Sequence, residues 1–93
     1  MGHLPIPADM YFQDFAFDVL EYRVSDGGSV VGTYRGLSNT DETGDYIGFS
    51  VKDQPQISVG STLSTVDGLE KYQVRQIAYD RYNGQPELLK AYY

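Results

Sequence analysis

Hydrophobic and polar residues alternate along most of this chain with a period of two, the spacing of a β-strand that has one buried face. Gly, Pro, Asn and Asp interrupt the alternation at short intervals, which limits each element to the length of a strand. The pattern therefore predicts strands, with helix as the minor component. The six predicted strands span residues 12–24, 29–37, 46–51, 56–65, 70–79 and 86–93.

The alternation changes phase within two of the predicted strands. Phe15 and Phe17 share one parity, whereas Leu20 and Tyr22 share the other, so we expect a β-bulge between the two pairs. A similar phase change predicts a second bulge at Arg75–Gln76. Bulges bend strands at sheet corners and in small barrels, so both features indicate a curved sheet.

Glycine-containing turns separate several of the predicted strands. Residues 25–28, 66–68 and 83–84 carry Asp or Asn beside Gly, the residues that tolerate the positive φ of tight hairpin turns. The last of these turns predicts a final strand over residues 86–93. The same segment contains good helix formers behind Pro86, so a single helical turn stays open as an alternative.

Short strands, bulges and tight turns together predict an all-β fold. The expected architecture is a small, strongly bent antiparallel β-barrel of about six strands, with a two-sheet β-sandwich as the alternative. Pro5 and Pro7 fix their own φ and keep their predecessors extended. We therefore expect an extended N-terminal arm over residues 1–10 and a single β-barrel domain over residues 11–93.

One part of the chain resembles the strand–turn–strand rhythm of many small β-barrels. The residues that carry the resemblance are 57–63, the Asp67–Gly68 turn and 72–77. Phage neck and tail-joining proteins and the barrel domain of translation factors share this rhythm. The resemblance implies a fold and carries over no functional residue. A phage or mobile-element origin is a hypothesis that rests on size and tyrosine-rich β character alone.

The composition supplies few groups for catalysis. The chain has no Cys and one histidine, His3, which lies in the predicted arm. This leaves no thiolate nucleophile, no Cys-type zinc site and no embedded histidine base. Carboxylates such as Asp14 and Asp18 fall on the polar face of the first predicted strand, where ionised side chains are solvated. We expect no enzymatic activity and no cofactor.

Oxygen-bearing side chains are concentrated in residues 39–45. With Gly44 at the sixth position the spacing partly fits a calcium loop, but Ser50 stands where that loop has a bidentate Glu. Asn, Asp, Thr and Gly are also the ordinary residues of a hairpin loop. We interpret the segment as a solvated loop with Asx-type turns, and a weak calcium site is the alternative.

The net charge of −6 disfavours direct binding to nucleic acid or to anionic lipid, because both need cationic residues. No apolar run approaches the roughly 20 residues of a membrane span. Residues 1–10 lack the basic and continuously apolar regions of a secretory signal. We therefore expect a soluble, cytoplasmic protein that binds neither nucleic acid nor membranes.

Nine tyrosines exceed what a core of this size can bury, so several must reach the surface. Tyrosine also suits half-buried strands, but tyrosine with arginine is enriched at protein interfaces. We predict a protein-binding or assembly module, structural or adaptor in type, whose partner is another protein or a second copy. The alternative is an acidic inhibitor that mimics nucleic acid in a basic groove. The predicted interface residues surround the last hairpin: Tyr79, Arg81, Tyr82, Tyr92 and Tyr93.

Overall fold

The structure is a computed structural model that describes residues 3–93. These residues form one α-helix, two short 3-10 helices and seven strands. The helices are α1 (Ala8–Asp14) and the 3-10 turns Ala16–Asp18 and Val51–Asp53. The strands are β1 (Val19–Asp26), β2 (Ser29–Asp41), β3 (Gly44–Ser50), β4 (Thr62–Thr65), β5 (Lys71–Gln73), β6 (Gln76–Tyr82) and β7 (Gln85–Tyr92).

All seven strands belong to one antiparallel sheet, in the order β5-β4-β1-β2-β3-β7-β6. This confirms the all-β prediction. The two edge strands, β5 and β6, follow each other along the chain and do not pair, so within residues 3–93 the sheet is open. Val74 and Arg75 connect them: the Val74 N–H donates to Ser61 O at 2.9 Å and the Arg75 N–H donates to Tyr92 O at 2.8 Å. Closure into a barrel and the sandwich alternative stay predictions.

The main core covers the inner face of the sheet, as a period of two requires. Tyr22 and Phe49 meet there edge to face, with ring centres 6.0 Å apart. On β7 the inner positions are Leu89 and Ala91, both buried. The buried residues of this core are Tyr22, Val24, Ile47, Phe49, Leu63, Val74, Leu89 and Ala91.

The outer face of the sheet is covered in part by α1, which the sequence did not predict. Pro7 precedes the helix with a φ of −59°, and Ala8 and Phe12, four residues apart, lie on one helical face. Both are buried and pack with Leu88 of β7. Glu87 Oε1 accepts the Ala8 N–H at 3.1 Å, which satisfies one free donor of the first turn. The prediction of a strand from residue 12 is therefore wrong, and β1 begins at Val19.

The predicted loop at residues 38–45 is mostly strand. β2 continues to Asp41 and β3 begins at Gly44, which leaves Glu42 and Thr43 as the turn. The fourth strand is shorter than predicted, since only Thr62–Thr65 pairs with neighbours. β7 confirms a strand at the end of the chain and rules out the helical turn there.

Both predicted bulges are displaced or replaced. The register shift in the β1–β2 pair falls between Val24 and Ser25, and the expected position near Val19–Leu20 lies in regular pairing. There is no bulge at Arg75–Gln76. The chain pairs with β4 up to Gln73 and with β7 from Gln76 onward, so the predicted strand is divided into β5 and β6. The phase change in the hydrophobic alternation therefore marked the right place in the chain, but the structure has a break between two strands there and not a bulge.

The described part of the N-terminal arm docks beside β6. His3 forms a parallel bridge with Arg81, and the Leu4 N–H donates to Arg81 O at 2.7 Å. The extended segment ends at Pro7, where α1 begins, so the later part of the predicted arm is helical. Residues 1 and 2 of the predicted arm lie outside the described residues.

Replacing Phe12 with Ala tests whether α1 depends on this packing. Phe12 is buried against Leu88, and removing a buried phenyl ring leaves a cavity. We expect the free energy of unfolding, measured with urea, to fall by about 3 kcal/mol. The exposed neighbour Gln13→Ala is the control and should change it by less than about 0.5 kcal/mol. Equal effects of the two changes would show that α1 does not depend on the Phe12 contact.

Candidate functional site

The structure divides the five predicted interface residues between surface and core. Tyr79 is half exposed on β6, Arg81 is exposed and Tyr82 is half-buried. The Arg81 guanidinium donates to Gly84 O at 3.3 Å within the β6–β7 turn. These three residues therefore remain available to a partner.

Of the two remaining tyrosines, one is buried and the other packs against a neighbouring ring. Tyr92 is only 2 % exposed, and Tyr93 is half-buried with its ring centre 4.3 Å from that of Tyr72. The Tyr93 N–H also donates to Asp45 O at 3.2 Å, which holds the end of the chain against β3. Tyr92 therefore stabilises the fold, and its replacement should destabilise the protein.

Tyr92 instead lies at the base of a cleft of about 510 Å³ on the outer face of the sheet. The arm and α1 form one wall, and β2, β3, β6 and β7 form the rest. Lys90 projects from β7 into the cleft, with Nζ 2.9 Å from Asp41 Oδ2 and 3.2 Å from Asp80 Oδ1. The same Nζ lies 5.2 Å from the ring centre of Tyr46 and 5.8 Å from that of Tyr92.

These groups hold one another in their ordinary charge states. The Tyr92 hydroxyl donates a 2.6 Å hydrogen bond to Asp41, and this bond, with that from Lys90, holds the pKa of Asp41 well below its usual range. Burial lowers the pKa of Lys90, but its hydrogen bonds to Asp41, Tyr92 and Asp80 outweigh burial and raise it. Burial raises the pKa of Tyr46. At neutral pH this arrangement supplies an ion-pair network and no free base or nucleophile.

The segment at residues 39–45 uses its oxygens to build the β2–β3 turn. Asp41 Oδ1 accepts the Thr43 N–H at 2.9 Å and the Gly44 N–H at 3.3 Å, and Asn39 Oδ1 accepts the Thr40 N–H at 2.8 Å. These are the Asx-type bonds that the sequence predicted. The other Asp41 oxygen faces Lys90 and Tyr92. Within residues 3–93 no three His, Asp or Glu side chains are grouped closely enough to hold a metal ion.

A second feature was missed by sequence reasoning: an exposed apolar surface between α1 and β1. We call Phe15 and Phe17 the Phe17 surface; their exposed fractions are 49 % and 103 %. The 3-10 turn Ala16–Asp18 projects Phe17 entirely into solvent. The apolar pair at residues 15 and 17 was visible in the sequence, but strand alternation explained it equally well.

A shallow hollow adjoins this surface. It is lined by Phe15, Asp18, Leu37, Ser38 and Asn39, so it combines two apolar walls with one carboxylate and two smaller polar groups. Other exposed apolar residues lie elsewhere: Leu20 on the inner face of β1, Val30 on β2 and Leu69 in the β4–β5 connection. Scattered apolar residues are normal on protein surfaces, whereas adjacent ones are typical of interaction sites.

Comparison with protein families, curated proteins and solved structures gives no match. Among residues 3–93 no helix has the length and apolar character needed to cross a membrane. Within residues 3–93 the fold is an antiparallel all-β sheet with one α-helix on its outer face.

Replacing Asp41 with Asn tests the network in the cleft. We expect the free energy of unfolding at neutral pH to fall by about 1.5–3 kcal/mol, the range for hydrogen bonds to charged groups. The folded chain holds the Asp41 proton more weakly than the unfolded chain does. The ionised carboxylate therefore stabilises the fold above the ordinary pKa of about 4, and this contribution is lost as the pH falls further.

The variant should consequently lose less stability than the wild type between about pH 5 and about pH 2 in urea titrations. Glu42→Gln is the matched control, because Glu42 is an exposed carboxylate on the adjoining turn. It should change stability by less than about 0.5 kcal/mol at neutral pH. Parallel pH profiles for Asp41→Asn and the wild type would contradict the role given to Asp41.

Proposed function

We propose that this chain is a non-enzymatic protein-binding module, an adaptor or structural component, that binds through the Phe17 surface. The observation that carries the proposal is the complete exposure of the Phe17 ring two residues from the half-exposed ring of Phe15. Burying a phenylalanine side chain contributes about 1.5–3 kcal/mol, so this surface gains most by contact with a partner. Aromatic anchors of this kind dominate binding energy at protein interfaces.

The backbone around Phe17 also supports the proposal. The Phe15 N–H donates to Tyr11 O at 3.0 Å, and the Asp18 N–H donates to Phe15 O at 2.8 Å. These bonds tie the turn between α1 and β1 to the end of the helix. A surface that is already ordered loses less conformational entropy on binding than a loose loop does.

The exposed part of the last hairpin is a second candidate surface for the same function. Tyr79 and Arg81 lie on β6, an edge strand bonded to β7 on one side. The described part of the arm meets the outer side of β6 at Arg81. Edge strands accept extended segments of other proteins, and tyrosine and arginine are common interface anchors.

The test compares affinity capture by the wild type and by Phe17→Ser. Phe17 makes little contact with its own chain, so the substitution should leave the free energy of unfolding within about 0.5 kcal/mol. We expect proteins retained by the wild type from a lysate of the source cells to be lost from the variant. Quantitative mass spectrometry of both eluates measures the loss, and sedimentation measures self-association in parallel.

Leu69→Ser is the matched control, because Leu69 is 83 % exposed and lies in the β4–β5 turn, outside the Phe17 surface. It removes an equally exposed apolar side chain and should retain the same proteins as the wild type. Equal retention by wild type and Phe17→Ser, with no self-association of either, would rule out binding through this surface. Loss with Tyr79→Ser alone would assign the function to the hairpin instead.

A further inference from the structure

Three exposed carboxylates lie close to the Phe17 surface in the sequence. Asp14 and Asp18 flank Phe15 and Phe17, and Glu21 follows on β1, opposite Arg35 of β2. No ion pair within residues 3–93 involves any of the three. The cations that do form ion pairs, Arg35, Lys52 and Lys90, bind other carboxylates: Asp9, Asp41, Asp53 and Asp80.

This charge distribution argues against a second copy as the occupant. A symmetric dimer through the Phe17 surface would place the three carboxylates of each copy near those of the other, because a two-fold interface uses the same patch twice. Like charges placed opposite each other disfavour association. The net charge of −6 adds repulsion at longer range.

The residues that line the hollow indicate which side chain of a binding partner would fit there. Phe15 and Leu37 supply apolar walls and Asp18 supplies a carboxylate at the same hollow. A lysine or arginine side chain has a matching construction, since its aliphatic stem packs on apolar walls while its charged head stays near a carboxylate and water. Among the standard side chains, these two fit both features of the hollow.

Resting on the proposed function, we propose that the Phe17 surface binds a basic, apolar segment of a partner protein. A lysine or arginine of that segment enters the hollow and pairs with Asp18. Its neighbouring apolar side chains cover the ring of Phe17. Asp14 and Glu21 attract further cationic residues of the segment, which raises the rate of association and sets the orientation. Phe17 supplies affinity, and the carboxylates supply selection between partners.

A phage-displayed library of random peptides of about 12 residues, selected on the immobilised wild type at low salt, tests this partner chemistry. We expect the enriched peptides to combine lysine or arginine with aromatic or aliphatic residues. Synthetic copies should bind Phe17→Ser at least about tenfold more weakly and Asp18→Asn at least about threefold more weakly. The effect of Asp18→Asn should shrink between about 50 mM and about 500 mM salt, because screening weakens exposed ion pairs.

Asp45→Asn is the matched control for charge, since Asp45 is exposed on β3 and forms no ion pair within residues 3–93. It should bind the peptides as the wild type does. Peptides without lysine or arginine that still require Phe17 would overturn the partner chemistry and leave the module function standing. Basic peptides that require the carboxylates but not Phe17 would overturn both and favour the nucleic-acid mimic.

Two further outcomes decide the remaining cases. A dimer that Phe17→Ser abolishes in sedimentation would overturn the inference, since the occupant would then be a second copy, and it would support binding through the surface. Enriched peptides that bind the wild type, Phe17→Ser and Asp18→Asn equally well, or no enrichment at all, would overturn the inference. In the second of these cases the proposed function would also be contradicted only if the capture experiment showed no dependence on Phe17.

Discussion

Both faces of β7 are covered by other parts of the chain, and the rest of the structure is arranged around this constraint. Leu89 and Ala91 enter the main core, while Leu88 packs with α1. Lys90 lies on that outer face too. Its largely buried charge is compensated by Asp80 on the neighbouring strand β6 and by Asp41 at the end of β2, beyond β3. An unpaired charge there would be strongly destabilising. The ion pairs therefore connect β2, β6 and β7 on one face while apolar packing connects them on the other.

The cleft and the Phe17 surface differ in how their groups are satisfied. In the cleft the carboxylates, the ammonium group of Lys90 and the hydroxyl of Tyr92 pair with one another, and within residues 3–93 no buried side-chain nitrogen or oxygen lacks a partner. At the Phe17 surface an aromatic ring is fully exposed, and the carboxylates close to it in the sequence form no ion pairs within residues 3–93. Polar groups that pair with one another within the chain stabilise its fold. Exposed apolar side chains close to unpaired charges are typical of a surface that another molecule covers.

Turn chemistry and strand alternation were readable from the sequence because they depend on local backbone physics. Asn83 and Gly84 both adopt positive φ, at 52° and 76°, as the hairpin prediction requires. The alternation in β3 placed Ile47 and Phe49 on one face, and both are completely buried. At Gly36, by contrast, a Cβ would lie 2.7 Å from Ile47 Cγ2, so a side chain of the core approaches this glycine closely. That constraint belongs to packing and has no local signal.

The sequence by itself determined the all-β class, the final hairpin and most of the strands, since these follow from side-chain parity and from residues that tolerate positive φ. Only the tertiary structure showed that residues 8–14 are helical. The alternation around Phe12 was also compatible with a strand, and the helix is stabilised by the buried contact of Phe12 with Leu88, which lies far along the chain. The tertiary structure also decided which tyrosines are accessible. Tyr79 and Tyr92 are the same residue type in one hairpin, but Tyr79 lies on the edge strand β6. Tyr92 lies on β7 between two other strands, with its ring 5.4 Å from that of Tyr46 and its hydroxyl bonded to Asp41.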